Sequence, residues 1–100
     1  MKRRNMAFYC YMVKCVDESF YTGWTKDPIQ RAKQHNNGSG AKYTRLHRPV
    51  ILVYVEEQPD LSSAMKRERA IKRLSHVQKM KIADQYLSNP DMISHDVECI

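Results

Sequence analysis

Apolar and polar residues alternate along two short runs near the start of the chain, and a polar turn separates the two runs. Residues 8–16 and 20–25 are rich in aromatic and β-branched residues, and Asp17-Glu18-Ser19 lies between them. This alternation predicts two β-strands joined in a hairpin. Both faces of the first strand are apolar, which predicts that it is covered on both sides. One face carries Tyr9, Tyr11 and Val13, and the other carries Phe8, Cys10 and Met12.

Helix start signals follow the hairpin at two places. Asp27-Pro28 puts a capping residue before a proline, which predicts a helix through Asn36 with Asn37-Gly38 as its left-handed end. Pro59-Asp60 predicts a second helix over residues 61–74. The remaining predicted elements are a third strand over residues 50–56, one helical turn within residues 41–47, and a helix over residues 76–87 with Val77, Met80, Ala83 and Leu87 on one side.

Together these elements predict one small α+β (α/β) domain. Its sheet has three strands, is mainly antiparallel, and is flanked by three or more helices. A chain of 100 residues suits a single domain with its own core. We expect the domain to occupy residues 1–87 and an acidic tail to occupy residues 88–100.

Charge is unevenly distributed along the chain. The formal net charge is +6, and all 17 lysine and arginine residues lie within residues 1–81. Residues 82–100 contain acidic residues and no lysine or arginine. A domain this basic is typical of proteins that bind a polyanion, with nucleic acid ahead of a membrane surface. General basicity without a specific partner is the alternative.

Cysteine usage predicts a reducing compartment. The chain has three cysteines and no Cys-x-x-Cys pair, which argues against a disulfide framework and for the cytoplasm. Cys10 and Cys15 should face opposite sides of the sheet, so they do not form a zinc site with His35 and His47. No apolar run approaches the roughly 20 residues of a membrane span.

Glu68 is the acidic residue whose position most needs an explanation. Steps of about 100° per residue along the helix over residues 61–74 place Glu68 within the apolar stripe formed by Leu61, Ala64, Met65 and Ile71. A carboxylate that faces a core is costly unless it is paired or binds a metal. An ion pair with a lysine or arginine and a functional carboxylate both remain open. A single carboxylate with waters and substrate phosphates is a common way to hold Mg²⁺.

Four further polar residues can converge on one site. Tyr11 and Tyr21 lie on neighbouring strands, and Arg31 and His35 are one turn apart on the same helix face. Gly23, inside the second strand, suggests that another group closely approaches the backbone there. Each residue also has a structural alternative: the tyrosines could pack, the arginine could be solvated, and the histidine could bond carbonyls at the helix end.

The chain resembles the GIY-YIG nuclease family, which is named for two tripeptides on a hairpin. Tyr9-Cys10-Tyr11 stands at the first tripeptide and Tyr21-Thr22-Gly23 at the second. Arg31 and Glu68 match the arginine and the metal-binding glutamate of the family. The segments Gln30–Asn36 and Gly40–Thr44 are similar to those of its small stand-alone members and structure-specific endonucleases. Tyr9 stands where the first glycine is expected, and Cys10 and Thr22 stand where isoleucines are expected.

The resemblance implies hydrolysis of DNA phosphodiester bonds with one Mg²⁺ or Mn²⁺ bound by Glu68. Tyr11 would position or deprotonate the attacking water with help from the metal or His35, Arg31 would stabilise the phosphate, and Tyr21 would support the cluster. Lys42, Arg45 and Arg48 would contact the flanking nucleic-acid backbone. A structure-specific role in DNA repair or recombination is the expected setting, with a protein partner that could deliver the substrate.

Two other function classes remain open. A nucleic-acid-binding module could keep the fold without turnover, and RNA is an alternative ligand. A protein-interaction adaptor could instead use the acidic tail or a sheet face. The sequence assigns no oligomeric state.

Overall fold

A computed structural model describes residues 7–88, which form a three-stranded sheet with helices on both faces. The predicted α+β architecture is confirmed, although β3 ends two residues later than predicted and α3 ends two residues earlier. The elements, in chain order, are β1 (Phe8–Cys15), β2 (Phe20–Thr25), α1 (Pro28–Asn36), α2 (Lys42–Arg45), β3 (Val50–Gln58), α3 (Leu61–Lys72) and α4 (His76–Ser88).

Strand β1 is the centre of the sheet, whose order is β2-β1-β3. Both pairings are antiparallel, and Tyr11 lies opposite Gly23 on one side and Val55 on the other. A register shift between Met12 and Val13 interrupts the pairing with β3. Within residues 7–88, β2 pairs only with β1, so its other edge is free.

Two cores lie on opposite faces of β1, as the alternation of the strand predicts. Tyr11 and Val13 belong to one core, and Cys10 and Met12 belong to the other. The first core includes Ala32 of α1, whereas the second includes Ile71 of α3 and Ala83 of α4. Helix α1 therefore covers one face of the sheet, and α3 and α4 cover the other.

Local capping explains where the two main helices begin. The Asp27 carboxylate accepts the backbone N–H of Gln30 at 3.1 Å, and the Asp60 carboxylate accepts that of Ser63 at 2.8 Å. Gly38 follows α1 in the left-handed region, with φ of 90°. The two caps confirm the predicted starts of α1 and α3, because each satisfies a backbone N–H that the helix itself leaves free. Gly38 confirms the predicted end of α1.

The apolar stripes predicted for α3 and α4 are only partly buried. Leu61 and Met65 on α3 are 39% and 37% exposed, and Val77 and Met80 on α4 are 60% and 42% exposed. These four residues share their predicted helix faces with buried residues but are themselves exposed. A three-stranded sheet offers each helix a narrow contact strip, so burial is confined to positions such as Ala64, Ile71, Ala83 and Tyr86.

The end of α1 is fastened to the start of β3 by one side chain. The Asn36 amide donates to the Val50 carbonyl at 2.9 Å and accepts the Val50 backbone N–H at 2.7 Å. These two hydrogen bonds between the Asn36 side chain and the Val50 backbone fix the last turn of α1, which carries His35.

No helix within residues 7–88 is long and apolar enough to cross a membrane. The predicted acidic tail lies outside the described residues apart from Ser88.

Candidate active site

An open cavity of about 230 Å³ lies at the free edge of β2. Helices α1 and α3 cover opposite faces of the sheet, so a cavity that both helices line must lie beside the sheet rather than on one face. The predicted tyrosines, arginine, glutamate and glycine converge there. The lining residues are Tyr11, Tyr21, Gly23, Trp24, Arg31 and Glu68.

The Tyr11 ring passes over the backbone of Gly23 to reach this cavity. Tyr11 is 1% exposed, and a Cβ atom added at Gly23 would lie 2.7 Å from its hydroxyl oxygen. The glycine therefore leaves room for the phenol on the neighbouring strand. Burial raises the pKa of Tyr11, as does the neighbouring Tyr21, while the Arg31 guanidinium opposes the rise.

His35 lies behind Tyr11 and does not line the cavity. It is 1% exposed, and its Nε2 atom lies 2.8 Å from the Tyr11 hydroxyl. Its Nδ1 atom lies 2.7 Å from the Thr44 hydroxyl, which donates to the Ala41 carbonyl at 2.9 Å. Burial, with the charge of Arg31, lowers the pKa of His35 to about 4. The histidine is thus neutral near pH 7 and bonds two side chains rather than helix-end carbonyls.

Tyr21 connects the cavity to the same buried histidine. Its ring lies edge-on to His35 with 5.3 Å between ring centroids. Arg31 lines the cavity from α1, one turn before His35. The two phenols, the imidazole and the guanidinium therefore form one connected group, in which His35 is the buried member.

Glu68 reaches the cavity from α3 and also forms an ion pair. Its Oε2 atom lies 2.9 Å from the Lys72 Nζ atom, one helical turn away. The glutamate side chain is 19% exposed and the lysine side chain 50% exposed. The hydrogen bond to Glu68 raises the pKa of Lys72. The ion-pair interpretation of the inward acid is therefore confirmed, while Glu68 still lines the cavity and its functional role stays a prediction.

The donor set of this cavity suits one divalent cation, most of whose ligands would be water molecules and substrate oxygens. Within residues 7–88, no three histidine, cysteine or acidic residues come together as a metal-binding group. Glu68 is the acid that lines the cavity, and Tyr11 and Tyr21 line it as well. One carboxylate with open positions is compatible with Mg²⁺.

The three basic residues predicted to contact nucleic acid lie outside this cavity. Lys42, Arg45 and Arg48 are exposed around α2. The Arg48 guanidinium donates to the Arg45 carbonyl at 3.2 Å and to the Asn36 carbonyl at 3.4 Å. Arg48 therefore forms hydrogen bonds with carbonyls at the ends of α1 and α2, whereas the side chains of Lys42 and Arg45 are exposed to solvent.

Four residues of the site were missed by sequence reasoning. Trp24 lines the cavity, Thr44 bonds His35, and Lys72 pairs with Glu68. A Cβ atom added at Gly40 would overlap His35 Nδ1 and lie 2.8 Å from His35 Cα. Lys72 could have been found from its spacing of one turn from Glu68. Thr44 and Gly40 lie in a segment that resembles the family, but the sequence did not connect them with His35, because only the tertiary fold brings α2 and its preceding loop against that residue.

Comparison with known families gives a match over most of the chain. The family model described as the GIY-YIG catalytic domain matches residues 7–81. The chain is 51% identical to a UPF0213 protein of Staphylococcus saprophyticus over 77 residues, which cover 77% of this chain and 94% of the relative. It is also 51% identical to a UPF0213 protein of Clostridium perfringens over 74 residues, which cover 74% and 80%.

Two solved structures are similar to this fold. The solution NMR structure of a UPF0213 protein from Bacillus halodurans has a TM-score of 0.55 at 36% identity, covering 90% of this chain and 96% of that one. A solution NMR structure of a protein from E. faecalis has a TM-score of 0.51 at 44% identity, covering 82% and 83%. The segment matched by the family model contains every residue that lines the cavity.

Proposed function

Because the chain belongs to the GIY-YIG family, we propose that it is a divalent-metal-dependent endonuclease that hydrolyses DNA phosphodiester bonds. The observation that supports this proposal is the convergence of two phenols, one guanidinium and one carboxylate in a single open cavity. We further propose branched or interrupted DNA as the substrate, in a role in DNA repair or recombination. This activity would take place in the cytoplasm, where the free thiols of Cys10 and Cys15 stay reduced.

Arg31 and Tyr21 are the proposed phosphate ligands. A guanidinium forms charge-assisted hydrogen bonds with phosphate oxygens and keeps its charge at all relevant pH values. Arg31 lines the cavity opposite Glu68, so it can stabilise negative charge that builds on a phosphate between them. Tyr21 donates its hydroxyl on the same side and keeps the phosphate beside Tyr11.

Tyr11 and His35 are proposed to move the proton of the attacking water. The Ala41 carbonyl can only accept, so the Thr44 hydroxyl donates its one proton there. The Thr44 oxygen therefore accepts the Nδ1–H of His35. The Nε2 atom of His35 then accepts the Tyr11 hydroxyl proton. Water can pass a proton to the Tyr11 oxygen while Tyr11 passes its own proton to Nε2. A free phenolate is avoided, so the raised pKa of Tyr11 is no obstacle.

Phosphate binding would make His35 a better proton acceptor. Burial lowers the pKa of His35, and the Arg31 charge adds a smaller contribution in the same direction. A bound phosphate compensates that charge and favours an imidazolium. His35 therefore acts through Tyr11 as a positioning and proton-accepting residue, which agrees with its place behind the cavity wall.

Glu68 is the proposed ligand of the divalent cation, together with water and the substrate phosphate. A bound Mg²⁺ or Mn²⁺ would supply charge stabilisation to the phosphate and the leaving oxygen. In this arrangement Glu68 has to share its carboxylate between the cation and Lys72, which lies 2.9 Å away.

That ion pair also favours a second candidate function, a nucleic-acid-binding module without turnover. A carboxylate already compensated by Lys72 needs no cation, and the basic domain could bind DNA or RNA without cleaving it. The two candidates differ in one measurable property, because only the nuclease requires the Glu68 carboxylate in the presence of metal.

The test compares the parent protein with Glu68→Gln on flapped, branched and nicked DNA in the presence of Mn²⁺. We expect Glu68→Gln to lower the cleavage rate by about 100-fold or more, the scale of one lost charge-stabilising group, and to keep DNA binding. Glu57→Gln, at an exposed position of β3, is the matched control and should cleave like the parent. Equal cleavage by Glu68→Gln would refute the proposed role, and metal-independent binding without any cleavage would favour the binding module.

A further inference from the structure

A second cavity lies along the same free edge of β2. It has a volume of about 350 Å³, which is in the range of small-ligand sites. Its walls contain three aromatic rings and two lysine side chains. The lining residues are Phe20, Tyr21, Thr22, Tyr43, Lys72 and Lys79.

This aromatic cavity adjoins the candidate active site. Tyr21 lines both cavities, and Lys72 of the aromatic cavity contacts Glu68 of the candidate active site at 2.9 Å. A ligand held in one cavity therefore lies directly beside a ligand held in the other. The relevant ligand is one that spans both, with a phosphate in the first and a flat apolar group in the second.

Charge in the aromatic cavity is positive and only partly compensated. No acidic side chain within residues 7–88 lines it. Among the described residues, Lys79 has no acidic group within salt-bridge distance. In the part of the chain that the structure describes, Lys72 is paired only with Glu68, which the proposed cation would also contact. The rim of the cavity can therefore accept an anionic group.

The Tyr43 ring is held in place as a platform. Its hydroxyl donates to the Ser19 hydroxyl at 2.7 Å. One neighbour is His47, stacked at 4.2 Å between ring centroids, and another is Tyr21, at 6.2 Å and nearly parallel. Tyr43 is nevertheless 40% exposed, so part of the ring is free to stack on a ligand.

We propose that this cavity binds an unstacked nucleobase of the substrate strand, next to the phosphate held by Arg31 and Tyr21. Bases stack on tyrosine whatever their sequence, and lysines neutralise the phosphates beside them. The inference rests on the proposed function for its ligand. It adds that the strand must present an unpaired nucleotide at this point, which flaps and branch points provide and continuous duplex does not.

Binding of short oligonucleotides by the full chain without added metal tests this inference. The probes are a fluorescein-labelled decathymidylate and a decamer with the same number of phosphates but abasic throughout. Tyr43→Ala should weaken decathymidylate binding by about fivefold or more, the low end of one lost stacked base. It should change binding of the abasic decamer by less than about twofold, because that backbone offers no base to stack.

Three further variants test the Tyr43 ring and the Lys79 charge separately. Tyr43→Phe removes the bond to Ser19 but keeps the ring, so it should weaken decathymidylate binding less than Tyr43→Ala does. Lys79→Met should weaken both probes and lower the magnitude of the salt slope by about 0.7, the value for one phosphate contact on a single strand. Lys81→Met, on the same helix and exposed, should leave the slope unchanged. Thermal unfolding of each variant checks that the fold is retained.

Several results would overturn the inference. One is a Tyr43→Ala effect of the same size on both probes, and another is no decathymidylate binding by the parent. A third is displacement of the probe by a decaglutamate peptide with the same dependence on Tyr43 and Lys79, which would assign the cavity to acidic peptides. Cleavage that depends on Glu68 but not on Tyr43 would leave the nuclease proposal standing alone. Base-dependent binding without cleavage would leave only the nucleobase cavity standing.

Discussion

At the scale of single residues, the buried Tyr11–His35 pair depends on two positions that have no side chain. Gly23 leaves space for the Tyr11 hydroxyl, and Gly40 leaves space for the His35 ring. The phenol and the imidazole are 2.8 Å apart, so displacing either ring disturbs the other. The chemistry of the site is therefore sensitive to substitutions that add a single methyl group.

Gly23→Ala should lower the free energy of unfolding by about 1–3 kcal/mol, the usual cost of overpacking. The added Cβ would lie 2.7 Å from the Tyr11 hydroxyl oxygen. In a Tyr11→Phe background that oxygen is gone, so the same substitution should cost less. Urea unfolding of the four proteins gives the coupling energy. Equal costs in both backgrounds would contradict the contact described.

His35 should make the protein less stable in acid. Its pKa is lowered by burial to about 4 in the folded protein, against 6.5 for the ordinary group. Between these values the unfolded chain binds a proton that the folded chain does not, so stability falls as pH decreases from about 6.5 to about 4. The loss due to this group can reach about 3 kcal/mol.

His35→Gln should remove that part of the acid sensitivity, as measured by urea unfolding across this pH range. Asp17 and Asp60, whose pKa values are lowered by hydrogen bonds, titrate in both proteins and cancel in the comparison. His76→Gln, at an exposed position, should follow the parent curve. A His35→Gln curve parallel to that of the parent would show that the imidazole is not shielded as described.

At the scale of elements, the sequence predicted best what neighbouring residues decide. The caps Asp27 and Asp60 and the turn at Gly38 act within a few positions, so the helix starts and the end of α1 were predictable. The alternation along β1 predicted its two faces because the strand is central. The exposure of Leu61 and Val77 could not be predicted, since periodicity does not say how wide a surface the sheet offers.

The candidate site was predictable to the extent that family motifs and side-chain periodicity fix it. Tyr11, Tyr21, Arg31 and Glu68 were expected together, and they line one cavity. Thr44 and Gly40 lie close to His35 only because α2 and its preceding loop fold back onto α1. Such contacts between distant segments leave no local pattern, and only the packed structure shows them.

The β1–β2 turn contains a strained residue that can be relieved. Glu18 has a φ of 74°, a conformation that favours glycine. Glu18→Gly should raise the free energy of unfolding by about 0.5 kcal/mol, because the relieved strain exceeds the entropy that glycine costs. Its ion pair with Lys14 is exposed at 3.7 Å and contributes little. Thermal or urea unfolding measures the change.

Two variants bracket this expectation. Glu18→Gln removes the charge and keeps the strained backbone, so it should give no gain. Gly38→Ala introduces a side chain at φ of 90° and should cost about 1 kcal/mol. A gain from Glu18→Gln equal to that from Glu18→Gly would assign the effect to charge instead of backbone strain.

At the scale of the whole molecule, charge of opposite sign lies at different parts of the chain. All 17 basic residues lie before residue 82, and Asp91, Asp96 and Glu98 follow the last described helix. Charges of the same sign as DNA lower its affinity over a range set by the Debye length, about 10 Å at 0.1 M salt. The acidic segment should therefore oppose binding of nucleic acid to the basic domain.

Deletion of residues 89–100 should tighten DNA binding by about two- to fivefold at low salt, and the gain should vanish as salt screens it. Fluorescence anisotropy with a duplex probe across a salt series measures this. Replacing Asp91, Asp96 and Glu98 by their amides keeps the length of the chain and should reproduce the gain. Weaker binding after deletion would show that the segment contributes contacts rather than repulsion.

The position of both cavities along the outer edge of β2 has a consequence for inhibition. Strand β2 has backbone groups on its outer side that β1 does not use, and both cavities open along that side. A short extended peptide that added a fourth strand there would occlude the phosphate and nucleobase sites together, without imitating either ligand. Backbone mimics designed against β2 are therefore a rational starting class of competitive blockers for this domain.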